Sequence, residues 1–344
     1  MRRGILFALP CALGCAREPS RALGADIGTP EAGATLTTER DAQTALDAAS
    51  FDASSLDAGH ADAEITSSPT LTVVTLNTHS FQEGADSLAK LDQIGEGLAS
   101  LGADLVGLNE VMSGTFWAYD FNGASYDGAA IIASTLERSS GTRWHLYRHG
   151  FAHWADGEEM ANVILSRFPI IESEHRALTT TDAWPGPAEQ RSVSYARVDV
   201  PGLGLVNFFV THAALAGSSD TPTQIREIRQ FMVDEFRHDE ALDLLVGDLN
   251  TASTSPTYTT WLDEPPFHLI DTYARANPRG FEDATIFDAE LRIDYVLAGE
   301  GSALIEGSSR FSSQLAFDGS SHDGLTLPIV SDHKAVVTRF RLDP

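Results

Sequence analysis

Several apolar segments of this sequence end in a side chain that could take part in acid–base chemistry or metal binding. Residues 242–250, LDLLVGDLN, end in Asp248 and Asn250, which share one face of a strand because side chains alternate. A solvated turn also favours Asp and Asn, so this pair alone leaves both interpretations open. Repetition of the pattern favours a shared site. The other polar residues that end apolar segments are Asn77, Glu110, His212, Asp294, and Asp332 with His333.

Three of these residues offer oxygen atoms that suit a hard divalent cation. Glu110 and Asp332 supply carboxylates, and Asn77 supplies an amide oxygen. We therefore predict a metal site formed by Asn77, Glu110 and Asp332. Mg²⁺ is the expected ion, with Mn²⁺ or Ca²⁺ as alternatives, and it would screen the charge of a phosphate group.

The remaining residues suit transfer of a phosphoryl group to water. His212 and Asn250 could donate hydrogen bonds to nonbridging phosphate oxygens, where negative charge develops. His333, oriented by Asp294, could take a proton from the attacking water with help from Asp248. The division of the proton between Asp248 and His333 is left open. Because this set contains no cysteine or serine beside a base, it does not predict a covalent nucleophile.

Short strands and a few helices must position these residues. Apolar or alternating patterns predict strands at 71–80, 104–111, 144–148, 161–170, 191–200, 203–212, 242–250, 292–299 and 331–342. Apolar residues at helical spacing predict helices at 86–101, 126–137 and 221–238. Many strands with short connections and few helices indicate two packed, mainly antiparallel sheets with helices outside.

Seven motifs follow one another along the chain. They are TLNTH at 75–79, GLNEV at 107–111, NVILSRFPI at 162–170, THAAL at 211–215, GDLN at 247–250, RIDYVL at 292–297 and SDHKAV at 331–336. In this order the motifs resemble the endonuclease/exonuclease/phosphatase superfamily, which has the deoxyribonuclease-I-like fold. The resemblance covers residues 70 to 342, roughly the length of one large domain. It implies an α/β fold, a four-layer α/β/β/α sandwich, and a metal-dependent phosphoric ester hydrolase.

The resemblance assigns roles to the same residues by position. Asn77 and Glu110 correspond to the metal-side pair of the family. His212 corresponds to a phosphate contact. Asp248 and Asn250 correspond to the pair that handles water and phosphate.

Two further positions receive a role from the resemblance. Asp294, in RIDYVL, corresponds to the acid that orients the terminal histidine, which is His333 here. Arg191, in QRSVSYARV, lies where family members often have an arginine. It either binds the substrate phosphate or pairs with an acid in a structural role, and both interpretations are kept.

Three other features remain outside the predicted site. Asn162 is expected to be a core residue that bonds the backbone. His149 and His153 have a spacing that binds zinc on a helix, but HGFAH is predicted to be a loop, so a zinc site is disfavoured. Residues 179–190, with a tryptophan and two prolines, are predicted to form a loop beside the substrate.

The composition limits the class of partner. The net charge is −26, and Lys90 and Lys334 are the only lysines. Tight nonspecific binding to nucleic acid or anionic lipid requires neutralisation of phosphates, so neither is expected. A small substrate, or one bridged by a metal ion, remains compatible with this charge.

The N-terminus has the layout of an export signal. Arg2 and Arg3 precede a short apolar segment at 4–14, too short to span a bilayer. Residues 12–15, ALGC, resemble a bacterial lipobox, which predicts a signal peptide over 1–15 and a lipidated Cys15; a plain secretory signal is the alternative. Both cysteines, Cys11 and Cys15, lie here, so no disulfide is expected in the domain.

Residues 16–69 are rich in Ala, Asp, Ser and Thr and poor in aromatic residues. Such a segment buries too little apolar surface to fold, which predicts a disordered spacer before a domain at 70–344. The expected protein is an exported hydrolase, either a cell-envelope lipoprotein or secreted, that cleaves a small or lipid-headgroup phosphodiester. An extracellular nuclease and a non-catalytic surface binding module on the same fold are the alternatives.

Overall fold

The computed structural model describes most of the chain from Thr70 onward. The described residues are 70–81, 87–116, 124–153, 159–180, 190–235, 241–266, 268–277, 284–286, 291–300, 309–312 and 330–341. The predicted signal peptide, Cys15 and the spacer at 16–69 lie outside these residues, as does most of the predicted loop at 179–190.

The described part of the chain contains thirteen strands and five α-helices. The strands are β1 Thr70–Asn77, β2 Leu105–Phe116, β3 Ala124–Asp127, β4 His145–His153, β5 Glu159–Ser166, β6 Ile170–Ala177, β7 Ser192–Val200, β8 Gly204–His212, β9 Leu242–Asp248, β10 Leu269–Asp271, β11 Asp294–Gly299, β12 Arg310–Ser312 and β13 Ala335–Arg341. The helices are α1 Ser87–Ser100, α2 Gly128–Ser140, α3 Thr221–Glu235, α4 Pro256–Asp263 and α5 Thr272–Ala276. A 3₁₀ turn, His79–Phe81, follows β1.

The strands form two sheets, as predicted. The first has the order β12-β13-β1-β2-β5-β4, with β3 paired to β2. The second has the order β10-β11-β9-β8-β7-β6. Among the described strands, only β1–β2 and β8–β9 pair in parallel, so both sheets are mainly antiparallel.

Three apolar clusters separate four layers. The first cluster joins α1 and α2 to the first sheet and includes Val74 and Leu91. The second lies between the sheets and includes Val73, and the third joins α3 and α4 to the second sheet. Val73 and Val74 are neighbours that face opposite clusters, because side chains alternate along a strand. The strands are therefore apolar on both faces, and the predicted α/β/β/α sandwich is confirmed.

Helix boundaries and short elements differ from the sequence predictions. Helix α2 begins at Gly128, where the side chain of Asp127 accepts the N–H of Ala130 as an N-cap. The helix ends at Ser140, and Gly141 caps it in the left-handed conformation. The short elements α4, α5, β3, β10 and β12 were not predicted, because a few residues carry no periodic pattern. Strand β6 was not predicted either, because its eight residues are mostly polar and at least partly exposed, so they lack the apolar run of a buried strand. None of the described helices has the length and apolarity needed to cross a membrane.

Two crossover connections define the edge of the sandwich where the site lies. Strands β1 and β2 are joined through α1, and β8 and β9 are joined through α3, so the carboxyl ends of each parallel pair lie together. The antiparallel neighbours β7 and β11 begin where β8 and β9 end. This topology brings distant parts of the sequence to one edge of each sheet.

Candidate active site

The second sheet places three ionisable residues side by side. In the strand register, His212 at the end of β8 is opposite Asp248 at the end of β9, and Asp248 is opposite Asp294 at the start of β11. All three are buried. Gly247 precedes Asp248 with a φ of 133°, and a Cβ there would lie 1.9 Å from the carbonyl oxygen of Thr211. The glycine therefore allows β8 and β9 to approach closely beside the site.

The first sheet contributes Asn77 and Glu110. Asn77 ends β1, whereas Glu110 lies within β2. The register of β2 against β5 shifts between Leu108 and Val111, which is a β-bulge, and Glu110 has a φ of 57°. A bulge breaks the simple alternation of side chains and re-aims them.

Asn77 joins the two halves of the site. Its Nδ2 donates to Glu110 Oε1 (3.0 Å) and to Asp248 Oδ2 (3.1 Å), while its Oδ1 accepts the backbone N–H of His79 (2.9 Å). The amide nitrogen therefore faces both carboxylates and orients them. For Asn77 to bind a metal through its oxygen, as predicted from the sequence, the amide would have to turn over.

His333 and Asp294 form a buried pair. His333 Nδ1 lies 2.8 Å from Asp294 Oδ2, and Nε2 faces Asp248 Oδ2 at 4.0 Å and Asp332 Oδ1 at 3.7 Å. Ser331 holds the segment in place, because its Oγ accepts the backbone N–H of His333 (3.0 Å) and donates to the carbonyl of Asn77 (2.6 Å). The predicted orientation of His333 by Asp294 is present in the structure.

The electrostatics of this pair favour a protonated imidazole. Burial alone would lower the pKa of His333, but the charge and hydrogen bond of Asp294, together with Asp248 and Asp332, raise it well above 6.5. Burial and the nearby charge of Asp294 raise the pKa of Asp248, despite the opposing effect of His333. These directions make Asp248 a stronger base than an ordinary aspartate and favour the protonated form of His333 when no metal is bound.

His212 is held by Arg191. The Nη1 atom of Arg191 lies 2.7 Å from His212 Nδ1, and both residues are buried. Nε2 of His212 faces Asp248 Oδ2 at 3.5 Å and Glu110 Oε1 at 3.8 Å. Burial and the positive charge of Arg191 lower the pKa of His212 well below 6.5, although Glu110 opposes them. A neutral imidazole that donates from Nε2 fits this environment.

Glu110 is ionised. Burial opposes its charge, but His212, His79, Asn77 and Arg191 favour the carboxylate, and the pKa of Glu110 is lowered to about 2. Its Oε2 also accepts a hydrogen bond from Ser80 Oγ (3.1 Å).

The last two predicted residues lie at the border of the same network. Asn250, with a φ of 47°, donates its backbone N–H to Asp248 Oδ1 (2.8 Å) and its Nδ2 to the carbonyl of Ala213 (3.1 Å). Asp332 is partly exposed, and its Oδ1 lies 3.2 Å from His79 Nδ1. Hydrogen bonds and contacts between ionisable groups thus link all nine residues predicted from the sequence. These residues are Asn77, Glu110, Arg191, His212, Asp248, Asn250, Asp294, Asp332 and His333.

Four neighbouring residues were not predicted as part of the site: His79, Ser80, Asn109 and Ser331. His79 shares the TLNTH motif and the face of Asn77, which is a signal that could have identified it. Asn109 is adjacent to Glu110, and simple alternation would place the two on opposite faces. Among the described residues, the four non-glycines with positive φ are His79, Ser80, Glu110 and Asn250, and all of them border the site.

The donor set fits a hard divalent cation. Oxygen atoms of Asp248 and Asp294 and a ring nitrogen of His333 lie within 4.8 Å of one another, and this group could hold a metal. Asp294 Oδ1 is buried and has no hydrogen-bond partner among the described residues. Glu110, ionised and adjacent, adds a carboxylate ligand. The predicted metal set of Asn77, Glu110 and Asp332 therefore lies beside a second group of acids.

The HGFAH segment is a strand rather than the predicted loop. His149 and His153 both lie in β4, where four residues span about 13 Å, too far for one zinc ion. The ring of His149 instead stacks on His175, with centroids 3.2 Å apart. As expected for Asn162, its side chain bonds the backbone in the core, donating Nδ2 to the carbonyl of Ser192 (3.0 Å).

A comparison with protein-family models places the chain in a family. The model of the Endonuclease/Exonuclease/phosphatase family matches residues 74–333, most of the chain, and the protein belongs to that family. Members of the family hydrolyse phosphoric esters and generally depend on divalent metals. No curated protein matches the chain in a sequence comparison.

Solved structures share the fold at low sequence identity. A family protein from Leptotrichia buccalis is 18% identical, with a TM-score of 0.60. The alignment covers 79% of this chain and 99% of the Leptotrichia chain. One from Beutenbergia cavernae is 24% identical, with a TM-score of 0.59 and coverages of 79% and 71%. A mannosyl-6-phosphatase from Bacteroides thetaiotaomicron is 17% identical, with a TM-score of 0.52 and coverages of 78% and 99%. At these identities the likeness shows the fold alone.

Proposed function

We propose that this protein is a Mg²⁺-dependent phosphodiesterase that uses in-line attack by water on a small or lipid-headgroup diester. The observation that carries the proposal is the gap of 4.0 Å between His333 Nε2 and Asp248 Oδ2. This distance is too long for a direct hydrogen bond, and it lets both groups contact one oxygen atom of water or phosphate.

Asp248 and His333 divide the proton chemistry in this proposal. Asp248, whose pKa is raised, accepts the proton of the attacking water. His333, held as an imidazolium by Asp294, donates a hydrogen bond to a phosphate oxygen. Mg²⁺, held by Glu110 with Asp332 and the neighbouring acids, would neutralise the phosphate charge and stabilise the leaving oxygen.

His212 and Asn250 complete the phosphate contacts. With Nδ1 facing Arg191, His212 directs an Nε2–H toward the carboxylates, where the substrate phosphate would bind. Asn250 lies beside Asp248 at the end of the same strand and retains one amide hydrogen beyond its bond to Ala213. Both donors serve the nonbridging oxygens, where charge develops in the transition state.

The charge of the chain supports a small or headgroup diester over a nucleic acid. The net charge is −26, and Lys90, one of the two lysines, is buried and therefore offers no phosphate contact at the surface. Affinity for a polyanion depends mainly on phosphate neutralisation, and 23 lysines and arginines against 49 acidic residues disfavour it.

The protein is further proposed to be exported and tethered to a membrane by a lipid on Cys15. The support is the sequence of residues 1–15 and the composition of the spacer that follows. Replacement of Cys15 by Ser in the full chain should move the protein from the membrane fraction to the soluble fraction. An unchanged distribution would contradict the tether.

A substrate panel tests the proposed activity. The purified protein with Mg²⁺ is assayed on bis-p-nitrophenyl phosphate, p-nitrophenyl phosphate, sphingomyelin vesicles and plasmid DNA. Turnover of diesters without nicking of the plasmid is the expected result. Nicking that His212→Ala and His333→Ala abolish would establish a nuclease instead, and cleavage of the monoester alone would establish a phosphatase. Bound metal without turnover of any substrate would contradict the enzyme and favour a binding module.

A further inference from the structure

Asn109 is a buried residue of the first sheet whose side chain crosses to the second sheet. Its Nδ2 donates to the carbonyl of Thr211 in β8 (3.0 Å), and its Oδ1 accepts the backbone N–H of Asp248 in β9 (3.0 Å). Nδ2 also donates to Asn162 Oδ1 in β5 (2.8 Å). Both amide hydrogens and the amide oxygen are therefore used, and two of the three bonds cross between the sheets.

The backbone of Asn109 is tied to the remaining strand of the site. Its carbonyl accepts hydrogen bonds from the backbone N–H (3.0 Å) and the Oγ1 (3.1 Å) of Thr78, which follows Asn77. The next residue after Asn109 is Glu110. Asn109 is thus bonded to Asp248, bonded to the residue before His212, and adjacent to Glu110.

Directional bonds matter here because apolar packing alone does not fix the offset of one sheet relative to the other. The residues between the sheets below the site are aliphatic and aromatic, and their attraction is non-directional. The backbones are also close: a Cβ on Gly107 would lie 2.5 Å from Val246, and a Cβ on Gly247 would lie 3.0 Å from Asn109 Oδ1. The bonds of Asn109 fix the offset between sheets at the point where their strands reach the site.

We propose that Asn109 is a positioning residue for phosphoester hydrolysis, which sets the separation of Glu110 in one sheet from Asp248 and His212 in the other. This inference rests on the proposed function of the same site. Asn109 lies behind the carboxylates and acts on catalysis only through them. A shift of a catalytic group by about 1 Å can cost about 100-fold in rate, so loss of these bonds has a large kinetic effect.

The test compares Asn109→Leu with the matched control Asn162→Leu. Each change removes a buried amide and keeps the number of side-chain heavy atoms. Asn162→Leu removes the bonds to Ser192 and one bond to Asn109, but it leaves the bonds of Asn109 to Thr211 and Asp248 in place. In the purified full chain, Asn109→Leu should lower kcat about 100-fold with KM changed less than about threefold. Asn162→Leu should lower the melting temperature to a similar degree while kcat stays within about threefold of wild type.

A second readout does not depend on turnover. Hydrogen exchange at the backbone N–H of Asp248 should accelerate in Asn109→Leu and stay slow in Asn162→Leu, because the Oδ1 of Asn109 accepts that N–H. If Asn109→Leu does not fold, the same measurements are made on Asn109→Ser, because the shorter serine side chain cannot reach the second sheet. A folded Asn109 variant with wild-type kcat, or equal kinetic loss in both leucine variants, would overturn the proposal. A wild-type protein inactive on every substrate would refute the proposed function instead, while the exchange measurement still tests the contact.

Discussion

Nη1 of Arg191 lies 2.7 Å from Nδ1 of His212, and an arginine can only donate, so Nδ1 of the histidine accepts. Its proton is therefore on Nε2, the nitrogen that faces the site. Arg191 was expected either to bind phosphate or to pair with an acid; the structure places its guanidinium against the imidazole of His212, and its charge also lowers the pKa of Glu110.

Replacement of Arg191 by Met should allow His212 to populate both neutral tautomers. Without a donor at Nδ1 the proton can occupy either nitrogen, and kcat should fall about 10- to 100-fold. Long-range ¹H–¹⁵N NMR of the His212 ring should show a protonated Nε2 in the wild type and a mixture in the variant. Arg197→Met, which removes another buried arginine that contacts Asn207, is the control. An unchanged ring spectrum in Arg191→Met would contradict the interpretation.

Asp294→Asn should change the pH dependence of the rate. Asp294 raises the pKa of His333 above its ordinary value, so removal of this charge lowers that pKa. If the imidazolium is the active form, the alkaline limb of the kcat profile moves to lower pH. Asp263→Asn, in the exposed pair with His268, should leave the profile unchanged. An alkaline limb that does not move would exclude His333 as the group that titrates there.

Glu110→Gln should abolish metal-dependent turnover and leave the fold intact. Glutamine keeps the shape and the hydrogen-bonding oxygen but loses the charge that binds a cation, and kcat should fall more than about 100-fold. Mg²⁺ should raise the melting temperature of the wild type and have little effect on the variant. Glu159→Gln, whose carboxylate pairs with Arg148, is the matched control. Unchanged turnover in Glu110→Gln would place the metal elsewhere.

Gly247→Ala should destabilise the protein by more than about 3 kcal/mol in urea unfolding, because the new Cβ would collide with the backbone. The carbonyl oxygen of Thr211 lies 1.9 Å from that position. Gly141→Ala is a useful contrast. It also has positive φ, at 65°, but a Cβ there meets nothing within 4 Å, so about 1 kcal/mol is expected. Equal losses in the two variants would refute the steric explanation.

Asp243→Asn should stabilise the protein at neutral pH and have little effect near pH 4. Burial raises the pKa of Asp243 from 3.8 to about 6, although Asn207 and Arg197 oppose the shift. Because the folded state binds the proton more tightly than the unfolded state, stability falls as pH rises from about 4 to about 6. The gain from asparagine should be about 3 kcal/mol at most at pH 7. A gain independent of pH would contradict this assignment.

Much of the architecture follows from the sequence because strands buried on both faces are nearly continuous apolar runs. Val73 and Val74 illustrate this, since adjacent residues enter different cores. Family membership and the four-layer fold are confirmed. The convergence of Asn77, Glu110 and His333 could be anticipated because each lies in a motif of the family that the sequence resembles.

The finer geometry of the site was not predictable from the pattern. The bulge at Glu110 depends on pairing between β2 and β5, which the sequence does not reveal. The orientation of the Asn77 amide depends on two acids brought together only by folding, one 33 and the other 171 residues away. The bonds of Asn109 were missed for the same reason, because their partners belong to the opposite sheet.

The left-handed residues around the site have a consequence for laboratory evolution. His79, Ser80, Glu110 and Asn250 each hold a backbone conformation that costs a side chain about 1 kcal/mol relative to glycine. Selection for heat resistance alone would therefore favour glycine at these four places and erode turnover as it proceeds. Selection for turnover would keep the strained residues, because Glu110 and Asn250 belong to the proposed active site.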